Sequence, residues 1–451
     1  MKRIDMDEAI RLVREGTEIT HGDRMILAEK RLRELVDYAR ANSPYLADKY
    51  RDLPDDYSLA DIPVTEKSEI TENYDDYVTD RKISLPDVEA YCNRDTKDGH
   101  LYLDSYTVLH TSGTTGKPLY MVRDEHRNRI HGQLLGQRLL RGLSPELLDH
   151  RKNKIAAVIY AAHGSSSYEG FLRMQAAFPG YEDRIIAVNV LEDTETIVRM
   201  LNDFQPDVMT GYASVLVLLA LEKEKGNLDI NVKAIFNSAE ALTRENHILI
   251  EKAFGCPVKN NYCMTEGGEI AMTWDSPDML LNEDFIIIEP VDENRKPVTD
   301  PDTWSQGILV TDLTNFVQPI IRYYVGDSVK MEQIPDSEMR LPKFRINGRV
   351  NDIFELCGKP FSTSGIDSIA ELLPGIVDFQ FVQTADDELQ VRAFTSIDDN
   401  REELLAGFAD VIGNYFKEHG VSSARVTYSN EYPIKKERGG KTPRYADLRG
   451  K

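Results

Sequence analysis

Eight consecutive residues, Thr111-Ser112-Gly113-Thr114-Thr115-Gly116-Lys117-Pro118, bring together four small hydroxyls, two glycines and one lysine. Hydroxyls and bare backbone N–H groups bind anions, and glycines let the main chain approach a ligand closely and adopt positive φ. The lysine adds a point charge suited to phosphate. No Gly-Lys-Ser/Thr opens a helix here, so this is not a Walker-type loop. It reads as a loop built to hold a polyphosphate, with an ordinary Gly/Thr turn as the alternative. Two further polar clusters stand out, Ser238-Ala239-Glu240 and Asn261-Tyr262-Cys263-Met264-Thr265-Glu266, and Asp327 and Lys441 follow. Taken singly, Glu266 and Asp327 also fit surface carboxylates or helix caps. Arg322 fits a structural ion pair, Cys256 and Cys263 fit small buried hydrophobes, and Lys441 is one tail lysine among several.

These groups need elements to position them. Val108–His110 and Leu119–Val122 read as short strands flanking the loop, and Asp124 as the cap of a helix running to about Leu140. Leu32, Leu35, Val36 and Ala39 make an amphipathic helix within residues 29–50, ending near Ser43-Pro44. From 154 to 262 strands (154–161, 184–190, 207–210, 232–237) alternate with helices (193–203, 215–223, 243–253). That is the pattern of a mostly parallel sheet covered by helices, in which ligands bind beyond the carboxyl ends of the strands. The polar clusters at 238–240 and 261–266 lie at two such ends. After about 280, segments 284–290, 307–313 and 320–331 suggest a mixed or antiparallel sheet. Beyond Arg349 a compact α+β unit begins, with a strand at 353–356, helices at 364–373 and 402–417, and a hairpin of 377–384 with 388–395. The basic tail from Lys435 reads as a solvated or disordered end. The expected fold is α/β: a large N-terminal domain of helix-covered sheets with a β-rich subdomain (1–349), and a small mobile α+β C-terminal domain (350–451).

The chain has 451 residues, 41% of them hydrophobic, and a formal net charge of -22. The length calls for more than one core. The acidity argues against nucleic acid and anionic membranes as partners, both of which want a basic face. Cys92, Cys256, Cys263 and Cys357 are widely spaced, as expected of reduced thiols in a cytoplasmic protein. His126 and His131 are five apart, a poor spacing for one helix face, so no metal site emerges from histidines. No apolar run is long enough to span a membrane, and the N-terminus lacks a signal-peptide core.

Taken in order, these segments resemble the adenylate-forming superfamily of acyl-CoA synthetases, and within it the phenylacetate–CoA ligase-like branch. The resemblance covers nearly the whole chain. It includes Ile62–Lys67, the loop Thr111–Pro118, Ser238–Glu240, Asn261–Glu266, Arg322–Asp327, Gly348–Asp352, Gly358 and Gly439–Arg444. Cys263 stands where the motif usually has glycine, and Asn351 where many members have aspartate.

The resemblance implies that Thr111, Ser112, Gly113, Thr114, Thr115, Gly116 and Lys117 hold phosphates and that Ser238, Ala239 and Glu240 line an adenine pocket. Within the Asn261-Tyr262-Cys263 segment it has Tyr262 stack on adenine. Thr265 contacts the α-phosphate, Glu266 holds Mg²⁺, Asp327 takes the ribose hydroxyls, and Arg349 contacts ribose or phosphate. Asn351 is the hinge and Lys441 the lysine that catalyses adenylation. An acid pocket would draw on Tyr160, His163, Gly164, Phe236 and Asn237; for His163 a structural role is as open as a substrate contact. The implied reaction activates a small-molecule carboxylic acid, aromatic by the branch, with ATP and Mg²⁺, and transfers the acyl group to coenzyme A. A carrier-protein thiol or an amine in secondary metabolism is the alternative acceptor, and a non-catalytic nucleotide-binding protein is a third reading. A homodimer is common among similar proteins.

Overall fold

Asp5 accepts a hydrogen bond from the Glu8 N–H and starts a helix, Met6–Glu18; Thr20 does the same for a second, His21–Asn42. Each cap satisfies an N–H that the first turn leaves without a partner. The second helix begins eight residues before the apolar pattern at 29–50, because its first two turns bury Arg24 instead of an aliphatic side chain. It ends at Asn42, where Ser43-Pro44 opens the short helix Pro44–Lys49. The computed structural model describes residues 4–94, 100–111, 118–144, 146–149, 151–161, 164–349, 353–363, 375–395, 400–418, 420–435 and 442–449.

The chain divides into two compact units, one of residues 1–153, 161–187 and 259–346, the other of residues 154–160, 188–258 and 347–451. In the first, Leu32, Leu35, Val36 and Ala39 pack into a core with Tyr50, Ile62, Met121, Ile320 and Tyr323. The strands Thr107–His110 and Tyr120–Arg123 form an antiparallel hairpin, pairing His110 with Tyr120, as expected of strands flanking the Gly/Thr loop. The helix that Asp124 caps runs Glu125–Leu134 and continues as a π-turn over Leu135–Leu139. Gly268–Thr273 lies antiparallel to Val258–Met264 on one side and to Met279–Leu281 on the other, and Lys343–Arg349 pairs with the last. Ile286–Pro290, Ile308–Asp312 and Ile320–Val325 make a separate three-stranded antiparallel sheet. The single strand expected over 320–331 is therefore two, broken at Gly326.

In the second unit Ile155–Ile159, Val208–Gly211 and Ala234–Ser238 pair in parallel. The helix Ala213–Glu224 buries every residue from Ala213 to Leu221. A helix apolar all round is an interior helix. The expected hairpin is present as Ile376–Ala385 with Glu388–Thr395. It packs with the helix Arg401–Glu418 through Phe381, Val391, Leu405, Phe408 and Phe416, a core within residues 354–421. The helix expected at 364–373 lies outside the described residues. The tail is not wholly a solvated end: Tyr445–Asp447 forms a strand parallel to Ile376–Ala385, pairing Tyr445 with Phe381. Its Tyr445 ring stacks on Phe354 at 5.0 Å between centroids, so apolar contact outweighs the surrounding charge.

Candidate active site

The Thr111 N–H donates to Leu119 O (2.9 Å) and the Leu119 N–H to Thr111 Oγ1 (3.0 Å), closing the base of the hairpin loop. Beside it the His110 N–H donates to Gly164 O at 2.7 Å. Gly164 has φ +76°, and a Cβ there would collide with the His110 ring, so glycine is required for both conformation and contact. The Gly164 N–H is taken by Glu169 Oε1 at 2.9 Å, in the first turn of a helix, Ser166–Ala176.

The strand Val258–Met264 is fully buried at its start and half-buried from Tyr262 onward. A register shift between Tyr262 and Cys263 re-aims the side chains that follow. The Tyr262 hydroxyl donates to Asp327 Oδ2 at 2.6 Å, and its ring stacks on Phe344 (5.4 Å, 19°). The Tyr323 hydroxyl donates to Glu266 Oε1 at 3.3 Å. The main chain of Thr65 is hydrogen-bonded to Arg322 O and the Tyr324 N–H, which pins the 62–67 segment to the strand leading to Asp327. Arg322, at φ +46°, makes a two-pronged ion pair with Glu289 (2.9 Å at each nitrogen) and donates to Ala60 O and Ile62 O. Its role is the structural one.

In the second unit the strand Ala234–Ser238 turns sharply at Ala239, φ +67°. A non-glycine residue there carries strain, which tends to accumulate at functional sites. Asn237, fully buried, holds the turn by donating to Glu240 O (3.0 Å). The Glu240 carboxylate receives the Ser214 N–H at 2.9 Å, at the start of the helix Ala213–Glu224, and the Thr442 N–H at 3.1 Å. Phe236 is buried one residue before Asn237, and the Tyr160 N–H donates to the Tyr212 hydroxyl at 3.1 Å. Lys435 donates to Val190 O at 2.9 Å; burial pushes its pKa down, and Glu240 opposes that shift. Arg349 ends the strand Lys343–Arg349 on the exposed surface.

No family model matches the chain. It is 27% identical over 221 residues to Protein CapK of Staphylococcus aureus, covering 48% of this chain and 47% of that one. It is 25% identical over 360 residues to phenylacetate-coenzyme A ligase of Pseudomonas putida, covering 73% and 71%. The match to CapK thus spans about half the length of that protein. Among solved structures, 2-hydroxyisobutyryl-CoA ligase in the postadenylation state superposes over 93% of this chain and 88% of its own, with a TM-score of 0.62 and 18% identity. In the thioesterification state the same ligase gives 0.54. The fold is that of the adenylate-forming CoA ligases.

Within that fold the structure brings Tyr262, Asp327, Thr265 and Glu266 together in the first unit. In the second it groups Asn237, Ser238, Ala239 and Glu240. Ser112–Lys117, His163, Asn351 and Lys441 lie outside the described residues. No group of three or more His, Cys, Asp or Glu side chains suited to a metal exists among the described residues. Glu266 alone still fits Mg²⁺, which commonly takes one or two carboxylates and completes its shell with substrate phosphate oxygens. Burial pushes the Cys256 thiol up to about 11 and Cys92 to about 12, so neither is a ready nucleophile. No described helix is long and apolar enough to cross a membrane.

Reading along the chain missed a set of buried ionic groups just behind Thr265. The Arg123 guanidinium donates to Thr265 O (2.5 Å) and Met264 O (3.4 Å). Arg127 pairs with Asp312 at 2.6 Å, and His131 is hydrogen-bonded to Glu269 and, at 3.0 Å, to Thr314 Oγ1. Only the side chains at 123, 127 and 131, close in sequence to the Gly/Thr loop, could have hinted at them.

Proposed function

We propose that the chain activates a carboxylic acid with ATP, forming an acyl-adenylate and pyrophosphate, and then passes the acyl group to the thiol of coenzyme A with release of AMP. The observation that carries this reading is the Tyr262–Asp327 pair beside the Thr265-Glu266 step. Asp327 presents acceptor oxygens of the kind two ribose hydroxyls require. The Tyr262 hydroxyl bond orients both that carboxylate and the ring assigned to adenine. The motif order and the fold point the same way.

The first half-reaction needs charge neutralisation and alignment more than proton transfer. Thr265 would contact the α-phosphate, and the hydroxyl-lined loop from Thr111 to Lys117 would cradle the leaving pyrophosphate. Glu266 would hold Mg²⁺, which neutralises phosphate charge when bound. Lys441 would hold the attacking carboxylate against the α-phosphate. Ser238, Ala239 and Glu240 are assigned to adenine, and Tyr160, His163, Gly164, Phe236 and Asn237 to the acid. Residues 350–451 would act as a lid pivoting at Asn351, withdrawing Lys441 after adenylation so that the thiol can enter.

Acid-dependent exchange of pyrophosphate into ATP tests the adenylation. Exchange that requires the acid is expected, and a complete absence of exchange across aryl, aliphatic and amino acids would overturn the reading. AMP release stimulated by coenzyme A assigns the acceptor; stimulation by a carrier protein or an amine instead would move it.

A further inference from the structure

The strands Val258–Met264 and Gly268–Thr273 are joined by Thr265-Glu266-Gly267, with Met264 paired to Gly268 across the base. Two of these residues have assigned work, Thr265 at the α-phosphate and Glu266 at Mg²⁺. Both therefore stand on the tip of a hairpin, and loop tips are ordinarily the least restrained part of a chain.

This tip is restrained from below. Gly268, at φ +71°, takes the left-handed conformation that commonly closes a three-residue hairpin loop. A Cβ there would collide with Arg127 Nη2 and the His131 ring, and a Cβ at Gly267 would stand 2.9 Å from Val310 Cγ1. The main chain of the tip lies directly on its neighbours, which glycine alone permits.

Arg123 adds a polar hold. Its Nη2 donates to Thr265 O at 2.5 Å and, at 3.4 Å, to Met264 O. Arg123 is 5% exposed. Burial, and then Arg127, lower its pKa to about 9, so it remains charged at neutral pH. Hydrogen bonds from a charged donor are short and strong. The nearby buried arginines Arg127 and Arg138 meet the carboxylates of Asp312 and Asp284. Arg123 instead donates to two carbonyls of the hairpin tip.

Arg123 also ends the strand Tyr120–Arg123, which follows directly on Leu119, the residue that closes the Gly/Thr loop against Thr111. That strand is itself fixed. The Val122 N–H donates to Gln318 Oε1 at 2.7 Å, Gln318 Nε2 to Tyr120 O at 3.1 Å, and Asn315 Nδ2 to Val122 O at 3.1 Å. Gln318 and Asn315 are fully buried. A short fixed strand and one guanidinium thus join the loop assigned to the leaving pyrophosphate to the residue assigned to the α-phosphate.

We infer that Arg123 is a positioning residue for adenylation: by holding the Thr265 carbonyl it sets the Thr265 side chain at a fixed place relative to the Gly/Thr loop. This rests on the proposed adenylation and adds to it a residue that acts through Thr265. Displacement at phosphorus depends on alignment, and a shift of about 1 Å can cost about a hundredfold in rate.

A double-mutant cycle tests this with Arg123→Met, Thr265→Val and the two combined. Arg123→Lys, which keeps the charge and one donor direction, replaces Arg123→Met if that variant does not fold. Acid-dependent pyrophosphate exchange is followed at a temperature where all variants are folded. Each single change is expected to lower kcat/KM about tenfold to a hundredfold, and the double variant to lie within about threefold of the worse single one. A purely structural arginine gives losses that multiply, and that result overturns the inference, as does exchange unchanged in Arg123→Met; both leave the ligase reading intact. MgATP affinity, measured by calorimetry without acid, gives a readout independent of turnover. Both single changes are expected to weaken it, again without multiplying. Such coupled weakening in a protein that exchanges with no acid keeps the role of Arg123 and counts against the ligase reading. A wild type that neither exchanges nor binds MgATP overturns both.

Discussion

Two groups of buried arginines in the same unit have opposite bookkeeping. Arg138 is fully buried, and each of its guanidinium nitrogens is used. Nη1 bonds Asn282 Oδ1 and Asp284 Oδ1, Nη2 bonds Asp284 Oδ2 and, at 3.5 Å, Val13 O, and Nε bonds Thr17 Oγ1. Arg24 is similarly enclosed by Glu283 and the carbonyls of Ile19, Met339 and Arg340. Arg123 and Arg127 are comparably enclosed and Arg173 is half-buried, yet each keeps a nitrogen idle. Enclosure alone therefore does not separate structure from function. The fully bonded guanidiniums of Arg24 and Arg138 tie the N-terminal helices to the 282–284 and 339–340 segments, whereas the unbonded nitrogens of Arg123, Arg127 and Arg173 add no such tie.

The largest expected effect breaks the satisfied side. Arg138→Ala leaves Asp284 charged, buried and unpaired, and removing one partner of a buried pair costs about 3–5 kcal/mol. A fall of that size in urea unfolding free energy is expected. A loss under 1 kcal/mol would show that the pair is not a keystone.

Lys441 should show the reverse signature, because its assigned partners are substrates. Lys441→Ala is expected to slow acid-dependent exchange by about 10²–10³-fold, the usual cost of one electrostatic contact to a transition state. It should keep thioester formation from supplied acyl-adenylate and leave the urea midpoint in place. Equal loss of both half-reactions would remove Lys441 from the adenylation step.

Asp327→Asn lies between these cases. The Tyr262 hydroxyl keeps an acceptor, but the charge-assisted bonds assigned to ribose weaken, each worth about 1.5–3 kcal/mol. The expected result is a rise of about tenfold to a hundredfold in the KM for ATP with a near-native urea midpoint. An unchanged KM would confine Asp327 to orienting Tyr262.

Gly16 sharpens the satisfied side from its neighbour's position. It sits inside the helix Met6–Glu18, where alanine is ordinarily better by about 1 kcal/mol. A Cβ at Gly16 would collide with Asp284 Oδ2. Gly16→Ala is therefore expected to destabilise by about 1–3 kcal/mol, the usual cost of overpacking. A stabilised variant would mean that the Arg138–Asp284 pair shifts freely.

The same contrast explains what could be read along the chain. Ile155–Ile159, Thr194–Phe204 and Arg244–Phe254 were visible because apolar spacing and capping residues are local signals. The helix Ser166–Ala176 was not, because it opens with Ser-Ser-Tyr and its capping Ser165 follows the glycine of a turn. The helix Met6–Glu18 was missed although its signals are local: Asp5 caps it, and Ala9 and Val13 lie on its buried face. The tail strand Tyr445–Asp447 depends on Phe381 and Phe354, far away in sequence. Of the candidate site, the segments at 238–240 and 261–266 were legible as strand ends. The arginine cluster was not, since Arg127 meets Asp312 across 185 residues and Arg123 serves a carbonyl, a partner that no side-chain pattern announces.

The smallest expected effect concerns the acid limb of stability. Glu269 is held at about 2 in the folded state, against roughly 4.3 for a free glutamate. A depressed carboxylate pKa means that the unfolded chain binds the proton first as pH falls. Its stabilisation is therefore complete above about pH 5 and is lost as pH falls through about 4.3 towards 2. Asp312, also held low by Arg127 and His131 against the effect of burial, acts in the same direction. Glu269→Gln removes one of these protons, so the slope of unfolding free energy between pH 4 and pH 3 should fall by at most about 1.4 kcal/mol per pH unit. Urea midpoints at pH 5, 4 and 3 measure it. An unchanged slope would place the His131–Glu269 pair outside the acid transition.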